Sequence, residues 1–378
     1  MLRNLINRFT AAGAPDSRVP LRAAAAVVAL LAVGFSAASA QANARWYLGT
    51  YSNDILVWDE GTEEVVDRIT VNHFIPAGLT VNQKKSRLYV SDATSEYIEI
   101  VDLERGEITD EFTLSQGNVT FRIDGFAPSP DDSEAIIFGK RYTKMRDRFV
   151  VEGPFILEYD MKKKAVTDTI DFPKGETVEN IGFTYSPDGK LLYLFAEDVI
   201  ALDAETYEEV DRWEISKPQE PGLGRASLPL GSGTYDADGV ATGLYRVTDP
   251  AQNRRMMGIA QVRLSEKEVD FFTVGDPQSM RGFALAPGGE MAYSLLSEVG
   301  RYEFWEFDLV GKKLARRHEF AGRPRIGIRV SADGEKLYIY VAGNTIDVYD
   351  RATFEFMRSV TFDEDMAGVV VIPQGGNF

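Results

Sequence analysis

The sequence of 378 residues contains no cysteine and only two histidines, His73 and His318. Without thiols, the chain can form no disulfide, thiolate metal site, iron–sulfur cluster or covalently attached c-type haem. The two histidines lie far apart and have no partners at ligand spacing, which disfavours a zinc or haem site built on imidazoles. No G-x-S-x-G motif marks a serine nucleophile. We therefore expect no catalytic, metal-binding or cofactor-binding residue in this chain.

Positive charge is also scarce relative to negative charge: the sequence has 41 Lys and Arg residues and 58 Asp and Glu residues, which gives a net charge of −17. A surface of this sign repels nucleic acid and anionic membranes. We expect neither of them as a partner. The same surface suits a cationic partner or substrate, or serves solubility alone.

Long apolar runs are limited to residues 23–35, which follow a leader that contains Arg3, Arg8, Arg18 and Arg22. A small-x-small cleavage site, residues 38–40, comes next. This pattern predicts a secretory signal peptide over 1–40 and a periplasmic mature chain over 41–378. The leader holds four of the 41 basic and one of the 58 acidic residues, so the mature chain has 37 against 57 and a net charge of −20. A membrane helix needs about 20 apolar residues, so no span is expected after cleavage, and an uncleaved anchor is the alternative.

What the sequence does contain is a repeat, which residues 182–215 show most plainly. This stretch predicts four strands in order, at 182–186, 191–195, 198–203 and 209–215, with a Pro-Asp-Gly turn after the first. A lone sheet of this kind cannot bury its faces, and copies of it follow along the chain. Full copies open at Gly78, Gly125, Gly282 and Gly327, and a degenerate copy runs from Gly231 with its turn at 236–239.

The two ends of the chain supply one more unit. Residues 368–373 form a first strand with nothing after it, and residues 46–71 supply the later strands with no first strand before them. Joining the two ends closes a ring and leaves no open sheet edge. The sequence therefore predicts an all-β fold, a seven-bladed β-propeller whose closing blade is shared between N- and C-terminal strands.

A propeller offers a central channel lined by the first strand of each blade, and residues just before the opening glycines are expected at its mouth. They could orient a small ligand or a partner loop, or pair with one another across the channel. These channel-mouth candidates are His73, Arg122, Asp124, Glu179, Asn180, Arg281 and Arg325.

An insertion in the third unit, residues 139–155, concentrates basic and apolar side chains in an otherwise acidic chain. It predicts an extended hairpin, which either docks a partner protein or is only an elongated surface hairpin. The docking candidates here are Lys140, Arg141, Tyr142, Arg146, Arg148 and Phe149, and a second loop at 248–257 adds Arg254 and Arg255.

These repeats resemble the YVTN-type propellers, as RLYVSD at 87–92 and YSPDGKLLYLF at 185–195 illustrate. Over nearly the whole mature chain, the sequence is also similar to the propeller subunits of periplasmic quinoprotein amine dehydrogenases. These are the β subunit of quinohaemoprotein amine dehydrogenase and the heavy chain of methylamine dehydrogenase. The likeness is carried by GFAPSPDDSEAIIF with FILEYDMKKK, by residues 249–274, and by RVSADGEKLYIYVAGNTIDVYDRATFE at 329–355.

That resemblance implies a non-catalytic scaffold in an electron-transfer complex. In the family, a tryptophan-derived quinone and any haem sit on other subunits, and the propeller holds the small cofactor-bearing subunit and its cytochrome partner. No catalytic residue is carried over. A stand-alone periplasmic propeller that binds a ligand or a protein is the alternative. A lactonase-like enzyme would have only Asp124, Glu179 and Asn180 near the mouth for a metal, and an eight-bladed PQQ dehydrogenase disagrees with the blade count.

Overall fold

The computed structural model describes residues 42–175, 181–218, 220–229, 233–321, 327–340 and 343–375. These residues form 27 β-strands and one short 3-10 helix, Pro173–Gly175. Within the described residues, no helix is both long and apolar enough to cross a membrane. The all-β prediction is therefore confirmed.

Five separate antiparallel sheets of four strands follow one another along the chain, each with its strands in sequence order. Sheet 1 contains β4 (Pro76–Val81), β5 (Arg87–Asp92), β6 (Tyr97–Asp102) and β7 (Glu107–Thr113). Sheet 2 contains β8 (Val119–Pro128), β9 (Glu134–Lys144), β10 (Phe149–Asp160) and β11 (Ala165–Ile170). Sheet 3 contains β12 (Gly182–Tyr185), β13 (Leu191–Phe195), β14 (Val199–Asp203) and β15 (Glu209–Trp213). Sheet 4 contains β16 (Ala226–Ser227), β17 (Val240–Asp249), β18 (Arg254–Arg263) and β19 (Glu268–Gly275). Sheet 5 contains β20 (Met280–Leu285), β21 (Met291–Glu298), β22 (Arg301–Asp308) and β23 (Lys313–Phe320).

The remaining seven strands form a single sheet, the closing sheet, which joins the two ends of the chain. Its strands are, in spatial order, β24 (Gly327–Val330), β25 (Lys336–Tyr340), β26 (Gly343–Asp350), β27 (Phe356–Gln374), β1 (Asn43–Thr50), β2 (Asp54–Asp59) and β3 (Glu64–Thr70). The long strand β27 pairs with β26 through residues 356–361 and again at Met366, and with β1 through residues 366–374. The expected pairing of the C-terminal tail with the N-terminal strands is present, with Val371 opposite Trp46.

Buried hydrophobic clusters lie between each sheet and the next, as expected for sheets that are apolar on both faces. Further clusters join sheet 5 to β24–β26 and join β1–β2 to sheet 1. In the second of these, Tyr47 and Val57 pack against Leu88 and Val90. The sheets therefore follow one another around a closed ring, which is the propeller arrangement.

Several opening glycines are needed because successive first strands converge at the centre of the ring. A Cβ on Gly282 would lie 3.1 Å from the backbone nitrogen of Ile328, in the next sheet. A Cβ on Gly368 would lie 2.8 Å from the carbonyl oxygen of Ala77, across the junction between β27 and β4. A larger residue at either position would push two strands apart.

Two expectations differ from the structure. The sequence predicted seven separate blades, whereas the described residues form five separate four-stranded sheets and the closing sheet, because β27 continues without a break between its two partners. The degenerate unit was expected to begin at Gly231, which lies outside the described residues, and the first strand that the structure describes there is the earlier two-residue β16, which pairs with Arg246 and Val247. Pro229 follows soon after β16 and has no backbone N–H to donate to a ladder.

Candidate functional site

The central channel contains a cavity of about 620 Å³, a size typical of small-ligand sites. Its walls come from the first strands β4, β8, β12, β20 and β24, from residues 369–373 of β27, and from residues 233–239 ahead of β17. Pro130 and Pro187, in the turns that follow β8 and β12, also line it. The cavity therefore lies at the end of the channel where the first strands finish.

Six wall residues occupy equivalent positions in six first strands, and we call them the channel layer. Five of them lie opposite a tyrosine of the neighbouring strand and the sixth lies opposite Ile136, which establishes their common register. The channel layer consists of Thr80, Ala127, Thr184, Ala284, Arg329 and Val370. Small uncharged side chains leave the space open, and Arg329 is the one charged member.

Arg329 enters the channel because of the alternation along β24. Its neighbours Ile328 and Val330 are buried between sheets, so the residue between them faces the other way. One Nη donates to the carbonyl oxygen of Ile328 at 2.9 Å, and the guanidinium lies 5.8 Å from the ring centroid of Tyr340. Its Nε is buried and has no hydrogen-bond partner among the described residues. The charge of Arg329 thus has no carboxylate partner in the described part of the chain.

Asp236 lines the same cavity but is engaged with the backbone. Its Oδ2 accepts the N–H groups of Gly233, at 2.7 Å, and Thr242, at 3.1 Å, whereas its Oδ1 is buried without a partner in the described residues. The neighbouring Tyr235 donates to the carbonyl oxygen of Val330 at 3.4 Å. Burial, together with the charges of Glu60 and Asp333, raises the pKa of Tyr235, so it stays neutral.

His73 contacts the third and fourth strands of sheet 1 and is not among the residues that line the cavity. Its ring stacks on Tyr97 with centroids 3.7 Å apart, and its Nε2 lies 3.5 Å from Glu111. The buried carboxylate of Glu99 accepts the backbone N–H groups of Asn72 and His73, both at 3.0 Å. These contacts hold the chain where it crosses from β3 to β4.

The other expected mouth residues are not brought together with the cavity. Arg122 and Asp124 in β8 and Arg281 in β20 are exposed and precede the residues of their strands that line it. Glu179, Asn180 and Arg325 lie outside the described residues. Sequence reasoning missed Arg329, although the repeat carried the signal: this unit reads G-I-R-V where others read G-L-T-V, G-F-T-Y and G-F-A-L.

The insertion forms a long hairpin, as predicted. Strands β9 and β10 pair from Lys144 and Phe149 at the tip down to Glu134 and Asp160, and β8 accompanies them as far as Val119. Because β9 starts beside the cavity and has 11 residues, its tip lies about 35 Å away at ~3.3 Å per residue. Hairpin and cavity therefore occupy opposite ends of the ring.

The hairpin tip exposes apolar surface among its basic residues. Phe149 is 63% exposed and Val151 is 55% exposed, and Met145 and Val150 are exposed beside them. Arg141, Arg146 and Arg148 are exposed, whereas Lys140 and Tyr142 are half-buried. Arg141 lies 5.2 Å from the ring centroid of Phe155 and 3.9 Å from Glu152. Arg254 and Arg255, at the turn between β17 and β18, are exposed as well.

One edge of the hairpin is a free strand edge. Strand β11 pairs with residues 156–160 of β10 only, whereas residues 149–152 pair with β9 alone. Alternate N–H and C=O groups of these residues point away from β9, with no strand beside them in the described part of the chain. Such an edge can accept a strand from another protein.

Among the described residues, no group of three or more His, Asp or Glu side chains is placed to hold a metal ion. Asp124 is exposed and stands apart from any such group. Of the carboxylate and amide set considered for a lactonase, only Asp124 falls within the described residues.

Comparison with known proteins identifies the class of fold. No family model matches the chain, and no curated protein matches it in sequence. Solved structures of similar fold include dihydro-heme d1 dehydrogenase NirN in complex with DHE, with a TM-score of 0.55, 12% identity, and coverage of 87% of this chain and 75% of that chain. A functionally unknown protein from Desulfotomaculum acetoxidans has a TM-score of 0.52 and 15% identity, with coverage of 87% of this chain and 99% of that chain. Apo AztD from Citrobacter koseri has a TM-score of 0.51 and 12% identity, with coverage of 89% of this chain and 100% of that chain.

These likenesses show that the chain is a β-propeller. At identities this low they show the fold alone, and their functions are diverse. They do not single out an amine dehydrogenase subunit.

Proposed function

We propose that this chain is a non-catalytic docking propeller that holds a partner protein on its hairpin end. The observation that carries the proposal is the free edge of β10, where Phe149 and Val151 are exposed beside Arg146 and Arg148. Exposed aromatic and arginine side chains are typical anchors of protein interfaces. Exposed apolar strand edges are normally shielded in monomers, so a partner strand is a natural cover.

Charge complementarity indicates the character of the partner surface. Residues 139–155 contain five basic and two acidic side chains in a chain whose net charge is −17. The hairpin therefore attracts an acidic surface, which the rest of the propeller repels. The partner we propose presents acidic residues around an apolar strand.

In its more specific form, the proposal is that the partner is the small quinone-bearing subunit of a periplasmic amine dehydrogenase, with a cytochrome as electron acceptor. The sequence resemblance at 125–164, 249–274 and 329–355 supports this. The absence of cysteine fits it, because c-type haem attachment needs thiols and must then be supplied by another chain. Export to the periplasm, directed by residues 1–40, belongs to the same proposal.

The proposed scaffold has seven blades, with the closing sheet acting as two of them. Strands β24–β26 with the first half of β27 would be the sixth blade, and the second half of β27 with β1–β3 would be the seventh. The packing of Trp46 and Trp58 against Tyr338 and Ile346 supports this, because side chains on distant strands of one flat sheet would not contact one another. Two blades joined by one strand would stiffen the ring at its point of closure.

A second candidate function is a stand-alone propeller that binds a small ligand. The channel cavity favours it, because a roomy site with a charged group and aromatic walls is independent of any partner. The two functions use opposite ends of the ring and can be tested separately.

The docking proposal is tested by co-expressing the full chain with the products of its neighbouring genes and purifying through this chain. A small acidic or quinone-bearing subunit should co-purify with the wild-type protein, and amine oxidation should appear only in the complex. The Arg146→Gln, Arg148→Gln double variant should weaken the association at least about tenfold. The Lys162→Gln, Lys163→Gln double variant, which removes the same charge at the opposite end of sheet 2, should not.

Two results would overturn the proposal. The first is association that is equally strong in both double variants and insensitive to salt. The second is amine oxidation, or a visible chromophore, in the isolated chain.

A further inference from the structure

We propose that the channel cavity is a binding site for a small organic carboxylate, with Arg329 pairing with the carboxylate group and the aromatic wall holding an apolar body. The site lies at the opposite end of the ring from the hairpin and does not depend on the docking proposal.

The first step is the exceptional position of Arg329 within the channel layer. The five equivalent residues, Thr80, Ala127, Thr184, Ala284 and Val370, are small and uncharged. Shared register with the neighbouring strands shows that the six positions are equivalent in three dimensions. A single cation therefore projects into a layer that is otherwise neutral.

The second step is the incomplete bonding of the Arg329 side chain. A guanidinium carries five N–H donors, and Arg329 uses one of them on the carbonyl oxygen of Ile328. Its Nε is buried without a partner, and no carboxylate pairs with it among the described residues. The donors that remain in this planar fork match the geometry of a carboxylate.

The third step is the choice between an anionic and a cationic ligand. Asp236, the half-buried carboxylate of the wall, accepts two backbone N–H groups at Oδ2, whereas its Oδ1 has no partner among the described residues and needs a donor rather than an anion. Lys85 and Asp238 are exposed at the rim and balance each other. The N–H donors left over on Arg329 can be satisfied only by an acceptor, so the ligand we propose presents an anionic group to Arg329.

The fourth step is the apolar part of the wall. Half-buried rings of Phe126, Phe183 and Phe283 line the cavity, together with Tyr185. Burial and the charges of Glu134, Glu158 and Asp131 raise the pKa of Tyr185, which keeps this wall residue neutral. A ring or short aliphatic chain would bury apolar surface here, so an arylalkyl carboxylate combines both features.

The test uses the full mature chain and three probes that share one body: 3-phenylpropionate, 3-phenyl-1-propanol and phenethylamine. Isothermal titration calorimetry and saturation-transfer NMR measure their binding. We expect the carboxylate to bind at least about tenfold more tightly than the alcohol and the amine. Arg329→Gln should abolish this preference, whereas Arg105→Gln, which removes the same charge from an exposed surface turn, should retain it.

Arg329→Lys gives a second comparison if the glutamine variant fails to fold. It keeps the charge but loses the fork, so we expect an intermediate preference for the carboxylate. The proposal is overturned if the three probes bind wild-type protein equally. It is also overturned if the preference for the carboxylate survives in Arg329→Gln. A third contradicting result is that no probe binds with a dissociation constant below about 10 mM, which would mean that water alone solvates Arg329.

Discussion

The rings of Trp46 and Tyr338 meet edge to face with their centroids 5.0 Å apart. Trp46 lies on β1 and Tyr338 on β25, so this contact joins strands that are separated by β26 and β27 in the closing sheet. Trp58 completes the cluster, 5.4 Å from Trp46 and 5.7 Å from Tyr338. The two halves of the closing sheet therefore pack against each other through buried aromatic rings.

The first prediction concerns Trp46, whose side chain is fully buried. Trp46→Ala should lower the free energy of unfolding by about 3–5 kcal/mol, because it leaves a large cavity between the two halves. Trp46→Phe should cost much less, since the indole N–H has no acceptor in the described residues and phenylalanine keeps an aromatic ring there. Urea denaturation followed by circular dichroism measures both, and equal losses would contradict the role of the ring contact.

The second prediction concerns the closure of the ring. Removal of residues 368–378 should destabilise the protein by roughly 3–6 kcal/mol, because it withdraws the buried Val371 and Ile372 and leaves the edge of β1 unpaired. Removal of residues 375–378 keeps the ladder to Gln374 and should change little. Thermal denaturation and light scattering compare the two truncations. A stable, monomeric 1–367 chain would show that the tail does not hold the ring closed.

The third prediction is a pH dependence at Glu60, which follows β2. The backbone N–H of Ala332 donates to both carboxylate oxygens, at 3.1 and 3.3 Å, across the two halves of the closing sheet. Burial of this side chain, supplemented by the charge of Asp333, raises the pKa of Glu60 to about 7 despite the Ala332 bond and the nearby Lys336.

Because this folded-state pKa exceeds that of an unfolded glutamate, the folded protein binds the proton more tightly. Stability from this group is complete below about pH 4 and is lost as the pH rises through about 7, a change on the order of 3 kcal/mol at most. Glu60→Gln should flatten the loss of unfolding free energy between pH 5 and pH 8, because the neutral amide still accepts the Ala332 N–H. Glu64→Gln, at an exposed position, should follow the wild-type curve, and identical curves for all three proteins would contradict the prediction.

The fourth prediction concerns the hairpin edge. The Phe149→Ser, Val151→Ser double variant should keep the unfolding free energy within about 0.5 kcal/mol of wild type, since both side chains are exposed. The same variant should lose the co-purifying partner. Val299→Ser with Val310→Ser, at positions 104% and 75% exposed, is the matched control and should retain it. Analytical size exclusion of the complexes distinguishes the variants, and partner retention in both would remove Phe149 and Val151 from the interface.

Much of the propeller could be predicted from the sequence because the strands and turns of each unit depend on residues that are close together in the chain. The Pro-Asp-Gly turn at 187–189 and the apolar run at 191–195 predict β12 and β13, and the structure has them. The insertion at 139–155 likewise predicted a long hairpin. In the degenerate unit, β17, β18 and β19 lie within the predicted stretch, whereas the first strand was misplaced because the two-residue β16 is too short to show the alternation that marks a strand.

The site was predicted less well, because which end of a strand lines a cavity depends on how all the sheets pack and not on the residues of that strand alone. Residues ahead of the opening glycines were expected at the channel mouth, yet His73 instead packs on Tyr97 in sheet 1. Arg329 was not among the predicted site residues, although the comparison of the repeats marks it, because arginine stands there where other units have threonine or alanine. The pairing register aligns it with Thr80 and Thr184 in the wall of the cavity.

The sequence by itself determined the strand order, the repeat, the long basic hairpin and the pairing of the two ends, because strand periodicity and turn chemistry act over a few residues. Only the tertiary structure decided which side chains are buried away from solvent. Glu60 and Ala332 are 272 residues apart, and the sequence around neither residue indicates that the two form a hydrogen bond. Burial and unpaired charge depend on neighbours brought together by closing the ring, and for that reason the buried Nε of Arg329 and the cavity beside it are visible only in the tertiary structure.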